Sequence, residues 1–121
     1  MKINQNNAGF EAEKLAATYL INHGLKLVEQ NYHCRFGEID LIMMDAKMLV
    51  FVEVRLRSNS RFGSAGNSIT VPKMQKLILT AQHYLQSHGQ AYSNSPCRFD
   101  AILMHAVTAE SIEWVRNAFD A

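Results

Sequence analysis

Long apolar runs are missing from this sequence: no stretch of its 121 residues approaches the roughly 20 uninterrupted apolar side chains that a membrane-spanning helix needs. The start, Met1-Lys2-Ile3-Asn4, is polar and carries no apolar segment ending in small residues, so no signal peptide is expected. Cysteine is scarce. Cys34 and Cys97 are too few for a secreted disulfide scaffold, and neither belongs to a Cys-x-x-Cys pair or a tight His/Cys cluster of the kind that binds zinc. Both are expected as reduced, partly buried thiols in a cytoplasmic protein that needs no organic cofactor. Internal repeats and low-complexity tracts are absent, as is the alternation of aromatic and basic residues that stacks single-stranded bases. The histidines, His23, His33, His83, His88 and His105, have no ligand spacing and are expected as surface or core filler.

Acidic residues are missing from the middle of the chain. Residues 54–99 carry Arg55, Arg57, Arg61, Lys73, Lys76 and Arg98 without one acid, a net of +6, while residues 1–53 have five basic and seven acidic side chains and residues 100–121 a net of −3. The overall net charge of +1 hides this division, which points to a polyanion contact in the centre unless the acidic flanks fold back over it. With 48% apolar and 19% charged residues, the composition is that of a globular protein. The length suits one domain over residues 1–121, with residues 1–7 expected to be flexible.

Periodicity predicts a helix over residues 8–24, with Glu11, Lys14, Thr18 and Asn22 on its wet face and Ala16, Ala17 and Leu20 opposite. Strands are predicted over 26–32, 38–44 and 48–56, the last two joined as a hairpin by Asp45-Ala46-Lys47. Residues 57–70 lack periodicity and are expected as a mobile loop. Pro72 opens a second helix that Gly89 closes, with Met74, Leu77, Ile78, Ala81 and Leu85 as its apolar stripe and Lys73, Lys76, Thr80 and His83 on another face. Strands at 99–106 and 111–115 complete an order α-β-β-β-α-β-β, which predicts an α/β fold with a mixed sheet flanked by helices. Trp114, Val115 and Phe119 are expected as core or edge-packing residues.

Three acids fall where burial would not place them. Glu13 lies on the helical wheel beside Ala16, Ala17 and Leu20, where a carboxylate must be paired, protonated or bound to a cation. Alternation puts Glu38, Asp40 and Ile42 on one face of their strand and Ile39, Leu41 and Met43 on the other. Glu53 interrupts Leu49-Val50-Phe51-Val52, a run suited to a strand buried on both faces, with Arg55 and Arg57 pointing the same way. An ion pair between Glu53 and Arg55 is one explanation. The other is that the hairpin brings Asp40 and Glu53 together around a divalent cation, for which oxygen-only ligation favours Mg²⁺ or Mn²⁺. Arg55 would then stand ready to neutralise charge developing on phosphorus.

These stretches resemble the restriction-endonuclease-like superfamily, with its Asp, short hairpin and Glu-x-Lys, and more narrowly the bacterial YraN family related to archaeal Holliday-junction resolvases. The resemblance rests on Ala12-Glu13, Gly37-Glu38-Ile39-Asp40-Leu41-Ile42, Val50-Phe51-Val52-Glu53-Val54-Arg55, Phe62-Gly63, Lys73 and Arg98-Phe99-Asp100. It implies a metal site gathered by Glu13, Asp40 and Glu53, with the Val54 carbonyl as a further ligand, that cuts branched DNA as a homodimer. The signature lysine is replaced by Arg55, which cannot serve as a general base. Lys73 is the candidate to supply an amine from the neighbouring element.

Two expectations follow. The first is a Mg²⁺- or Mn²⁺-dependent endonuclease on structured or branched DNA, with catalytic residues Glu13, Asp40, Glu53 and Arg55 and phosphate contacts from Arg57, Arg61, Lys73 and Lys76. The alternative is a nucleic-acid-binding or assembly factor that keeps the fold without turnover.

Overall fold

In the computed structural model, which describes residues 7–57, 69–92 and 94–119, helix α1 spans Asn7–Asn22. Ala12, Ala16, Ala17 and Leu20 are fully or almost fully buried, while Glu11, Lys14, Thr18 and Asn22 face solvent. The helix stops where Gly24 takes a left-handed φ of +98°. The Leu25 N–H then donates to the Leu20 carbonyl and the Gly24 N–H to the Ile21 carbonyl, both at 3.0 Å, so the last turn's carbonyls are satisfied by the reversal itself.

Three antiparallel strands follow: β1 over Lys26–Cys34, β2 over Gly37–Asp45 and β3 over Met48–Leu56. Helix α2, Val71–His88, crosses to β4, Cys97–Met104, which pairs parallel to β3; β5, Glu113–Phe119, adds antiparallel to β4. The sheet order β1-β2-β3-β4-β5 puts β3 at the centre. Its continuous apolar run is explained by that position. Val50 and Val52 join α1, Leu41, Met43, Ile102 and Met104 in one core, and Leu49 and Phe51 join α2, Ile42 and Phe99 in another. The mixed sheet flanked by two helices is the architecture expected from the sequence. Among the described residues no helix is long and apolar enough to cross a membrane.

Several local expectations need correction. Ile39 does not share a face with Leu41 and Met43: it packs with Tyr32 and Phe51 on the α2 side, while Leu41 and Met43 lie on the α1 side. The cause is Asn31, whose φ of +54° turns β1 between Gln30, opposite Leu41, and Tyr32, opposite Ile39. Asparagine is one of the few residues that tolerates this conformation. Thr80, expected with Lys73, Lys76 and His83 on a face apart from the apolar stripe, is fully buried, because Gly37 lets the β1–β2 turn approach closely. A Cβ on Gly37 would lie 3.3 Å from the Thr80 Oγ1, at a φ of +149° that side chains rarely adopt. The Thr80 hydroxyl is satisfied by donating to the Lys76 carbonyl at 2.7 Å. Both cysteines are free, but Cys97 is exposed rather than partly buried.

The fourth buried acid, Asp100, is structural. It accepts Arg98 Nε and the Asn117 N–H on Oδ1 and the Trp114 indole N–H on Oδ2, each at 2.9 Å. Arg98 also donates to Asp45 at 2.9 Å. Asn117, at φ +53°, forms part of a bulge in β5 that the Asp100 carboxylate fills. Trp114, Val115 and Phe119 pack against the cores as expected. The start expected to be flexible over residues 1–7 and the loop expected over 57–70, with Arg61 and Phe62-Gly63, lie almost wholly outside the described residues. Ile69, at the far side of that stretch, is buried against Ala101 and Leu103.

Candidate functional site

The β2–β3 ladder runs from Asp45 opposite Met48 to Leu41 opposite Val52 and stops there. One step further along each strand stand Asp40 and Glu53. Asp40 Oδ2 reaches across the end of the ladder and accepts the Val54 N–H at 2.9 Å, taking the place of a strand carbonyl. Asp40 is 7% exposed and Glu53 4%, so both carboxyls are largely withdrawn from water at the point where the strands part. The hairpin therefore delivers the two acids to a common place.

Helix α1 contributes Glu13 from the other side. Its carboxyl stands near Asp40 and the Asn31 side chain, and both act on its proton affinity. Asn31 thus has two consequences: its left-handed backbone turns β1 across from Asp40, and its side chain opposes the upward shift of Glu13. Its sequence signal was ambiguous, since asparagine in a polar stretch reads equally well as a turn residue.

Glu53 Oε2 is shared by two cations, Arg55 Nη1 at 3.4 Å and Lys73 Nζ at 3.5 Å. Both separations exceed the 2.7–2.9 Å of a tight charge-assisted hydrogen bond. Lys73 is in the first turn of α2, and Lys76 follows it one turn later, exposed. Arg57 is exposed at the end of β3, its N–H donating to the Met104 carbonyl at 2.7 Å. Of the expected residues, Asp40 lies between Glu13 on one side and Glu53 on the other, and Glu53 meets Arg55 and Lys73; Lys76 and Arg57 make no contact with these acids that the described residues show, and Arg61 is outside the described residues.

The electrostatics follow from this crowding. Burial, then the nearby Asp40 charge, push the Glu13 carboxyl from 4.5 to about 7, against the opposing pull of Asn31. Burial and Asp40 likewise raise Glu53 from 4.5 to about 7, with Lys73 and Arg55 pulling it down. Asp40 is raised chiefly by burial, and the Val54 N–H opposes the shift. Glu13 therefore still binds a proton near neutrality.

A carboxyl whose folded value lies above its unfolded one favours folding most below the unfolded value, and that contribution is lost as pH rises through the folded one. The metal-free protein is expected to lose stability between about pH 4.5 and pH 7 for this reason. Asp40→Asn keeps an acceptor for Val54 and removes the central charge. In a chelating buffer at pH 8 it melts several degrees above the unmodified chain, and the gain vanishes at pH 5. A lower melting temperature for Asp40→Asn at pH 8 would show that the carboxylates do not repel as described.

The donor set at the end of the ladder is oxygen only, which matches Mg²⁺ or Mn²⁺ rather than zinc. No group of three or more His, Cys, Asp or Glu side chains among the described residues is arranged to hold a metal ion as it stands. Mg²⁺ requires less, commonly one or two carboxylates with waters completing its shell. Asp40 and Glu53, with Glu13 once deprotonated, meet that requirement.

The profile of the uncharacterised protein family UPF0102 matches residues 12–104, which spans α1 through β4 and every residue of the cluster. The chain belongs to the UPF0102 family. A UPF0102 protein of Methylobacillus flagellatus is 56% identical over 113 residues, covering 93% of this chain and 96% of the relative. One from Nitrosomonas europaea is 54% identical over 114 residues, covering 94% of each, and one from Saccharophagus degradans is 49% identical over 114 residues. The match extends over nearly the full length of each relative, so the UPF0102 chain and these proteins share one domain plan.

Proposed function

We propose that this UPF0102 chain is a divalent-metal-dependent endonuclease that hydrolyses phosphodiester bonds in structured or branched DNA in the cytoplasm. On this reading it is a member of the restriction-endonuclease-like superfamily, close to the YraN and resolvase-type proteins. The observation that carries it is the pair of buried acids Asp40 and Glu53 at a ladder end, with Glu13 beside Asp40 and with Arg55 and Lys73 beside Glu53. Burying like charges together is costly unless something is gained from it.

Asp40 and Glu53 would hold the ion, with Glu13 and the Val54 carbonyl as further ligands. The chemistry supplied by Mg²⁺ or Mn²⁺ at such a site is polarisation of a phosphodiester oxygen and a lowered water pKa. Asp40, fixed by the Val54 N–H, and Glu53, fixed by two cations, need little reorganisation to serve as ligands. Arg55 and Lys73 neutralise charge that builds on the phosphate. Arg55 keeps its proton throughout, so any amine that exchanges one is Lys73. Lys76 and Arg57 extend the positive surface along the DNA backbone. Cutting two strands of a junction would take two copies of the chain.

One observation favours a second reading. Among the described residues every buried side-chain nitrogen and oxygen already has a partner. A cluster satisfied in this way could persist in a binding or assembly factor without turnover. Calorimetric titration with Mg²⁺ and Mn²⁺, beside cleavage of duplex, flap, splayed-arm and four-way DNA, separates the two. The nuclease reading expects metal binding and Mn²⁺-dependent cutting of the branched substrates. Salt-sensitive DNA binding without metal binding or cutting would establish the alternative.

A further inference from the structure

The β1–β2 turn carries an aromatic and a cation that the acid cluster does not use. Arg35 and Phe36 are its two residues, between Cys34 and Gly37. The Arg35 guanidinium lies over the Phe36 ring, 4.9 Å from its centroid. Arg35 is exposed and Phe36 half-buried. The ring is backed by His83 of α2, edge-on at 6.2 Å, and His83 is itself fixed by a 2.5 Å hydrogen bond to the Tyr32 hydroxyl. Gly37 seats the turn against Thr80 and Lys76. Glu38, the acid next to the turn, is engaged by His33 at 2.8 Å.

We propose that Arg35 and Phe36 form a second nucleic-acid contact, in which Phe36 stacks on an unpaired base and Arg35 meets the adjoining phosphate. A cation over a half-buried ring at the surface is held more weakly than a base stacked on it, so the base displaces the guanidinium. The freed guanidinium stays on the neighbouring residue, within reach of the backbone the base belongs to. Two lysines of α2 lead from the acids toward this turn: Lys73 at Glu53, and Lys76 one turn on, whose Cβ lies beside Gly37.

The separation sets a rule for the substrate. From Phe36 to Asp40 is four residues of strand, about 13 Å. From Lys73 to His83 is ten residues of helix, about 15 Å. Both correspond to about four nucleotides at a rise of roughly 3.4 Å per strand unit. The unpaired base thus lies about four nucleotides from the phosphate held at the acids. The cut itself rests on the nuclease reading above; the stack does not.

The test is binding in chelating buffer to a duplex with one unpaired 2-aminopurine. The unmodified chain quenches the probe and binds this duplex about tenfold more tightly than a fully paired one. Phe36→Ala and Phe36→Leu, the latter keeping apolar bulk against His83, lose the quench and bring the affinity ratio to about one, while Phe36→Trp restores both. A quench that survives in Phe36→Leu, or a ratio that no variant moves, overturns the proposal. Because metal is absent, failure here leaves the nuclease reading standing, and failure to cleave leaves the stack standing.

Discussion

If the chain is the proposed nuclease, Asp40→Ala and Glu53→Ala should each slow Mn²⁺-dependent cleavage at least about a thousandfold, a loss of roughly 4 kcal/mol of transition-state stabilisation. Each carboxylate stands one step beyond the last paired residues of β2 and β3, and removal of either leaves a single buried acid in place of the pair. Acting as one ligand set, they should be non-additive, with the double variant hardly slower than either single one. Folding separates lost chemistry from lost structure. Asp40→Asn should be inactive yet melt higher at pH 8, because it relieves the repulsion that adds to burial in raising Glu13 and Glu53 to about 7. Lys73→Ala, which strips Glu53 of its partner at 3.5 Å, should cost about a hundredfold in turnover, whereas Arg55→Lys retains activity. Cleavage by Asp40→Ala and Glu53→Ala at the unmodified rate would remove the assignment.

The acids were legible because their cost is legible: a charge inside Leu49-Val50-Phe51-Val52-Glu53 contradicts its neighbours, and a short hairpin fixes which residues meet across it. The bounds of β3 were equally plain, since nothing in that run competes with strand. What escaped depends on contacts that local pattern does not encode. Ile39 changes face because Asn31, across from Asp40, adopts a left-handed conformation. Thr80 is buried by a glycine more than forty residues away in sequence, and no helical wheel contains Gly37. β5 runs to Phe119, beyond the 111–115 expected, since a bulge at Asn117 interrupts its alternation while a side chain from β4 repairs the gap. Glu13 stands out by its wheel position and by the resemblance; its neighbours Asp40 and Asn31 belong to two different strands.

That repair in β5 carries the largest expected effect on stability. Asp100→Ala should cost about 3–5 kcal/mol and lower the melting temperature by roughly 10–20 °C. The carboxylate is 1% exposed and accepts from Arg98, Asn117 and Trp114 at once. Alanine would leave the Trp114 and Asn117 N–H groups without an acceptor and Arg98, 15% exposed, with Asp45 as its remaining anion. Asparagine is a sharper probe. Its oxygen can still accept from Arg98 and Asn117, but its NH₂ group faces the Trp114 indole N–H, donor against donor. Asp100→Asn should therefore fall between alanine and the unmodified chain, and adding Trp114→Phe to it should recover part of the loss. Asp100 lies opposite Val52, on the α1 side of the sheet, whereas Glu53 meets Lys73 on the α2 side. If the acids bind Mn²⁺ as proposed, Asp100→Asn should leave that affinity unchanged below its melting point. Urea unfolding and calorimetry on the same samples test both halves, and an unchanged midpoint in Asp100→Ala would refute the structural role.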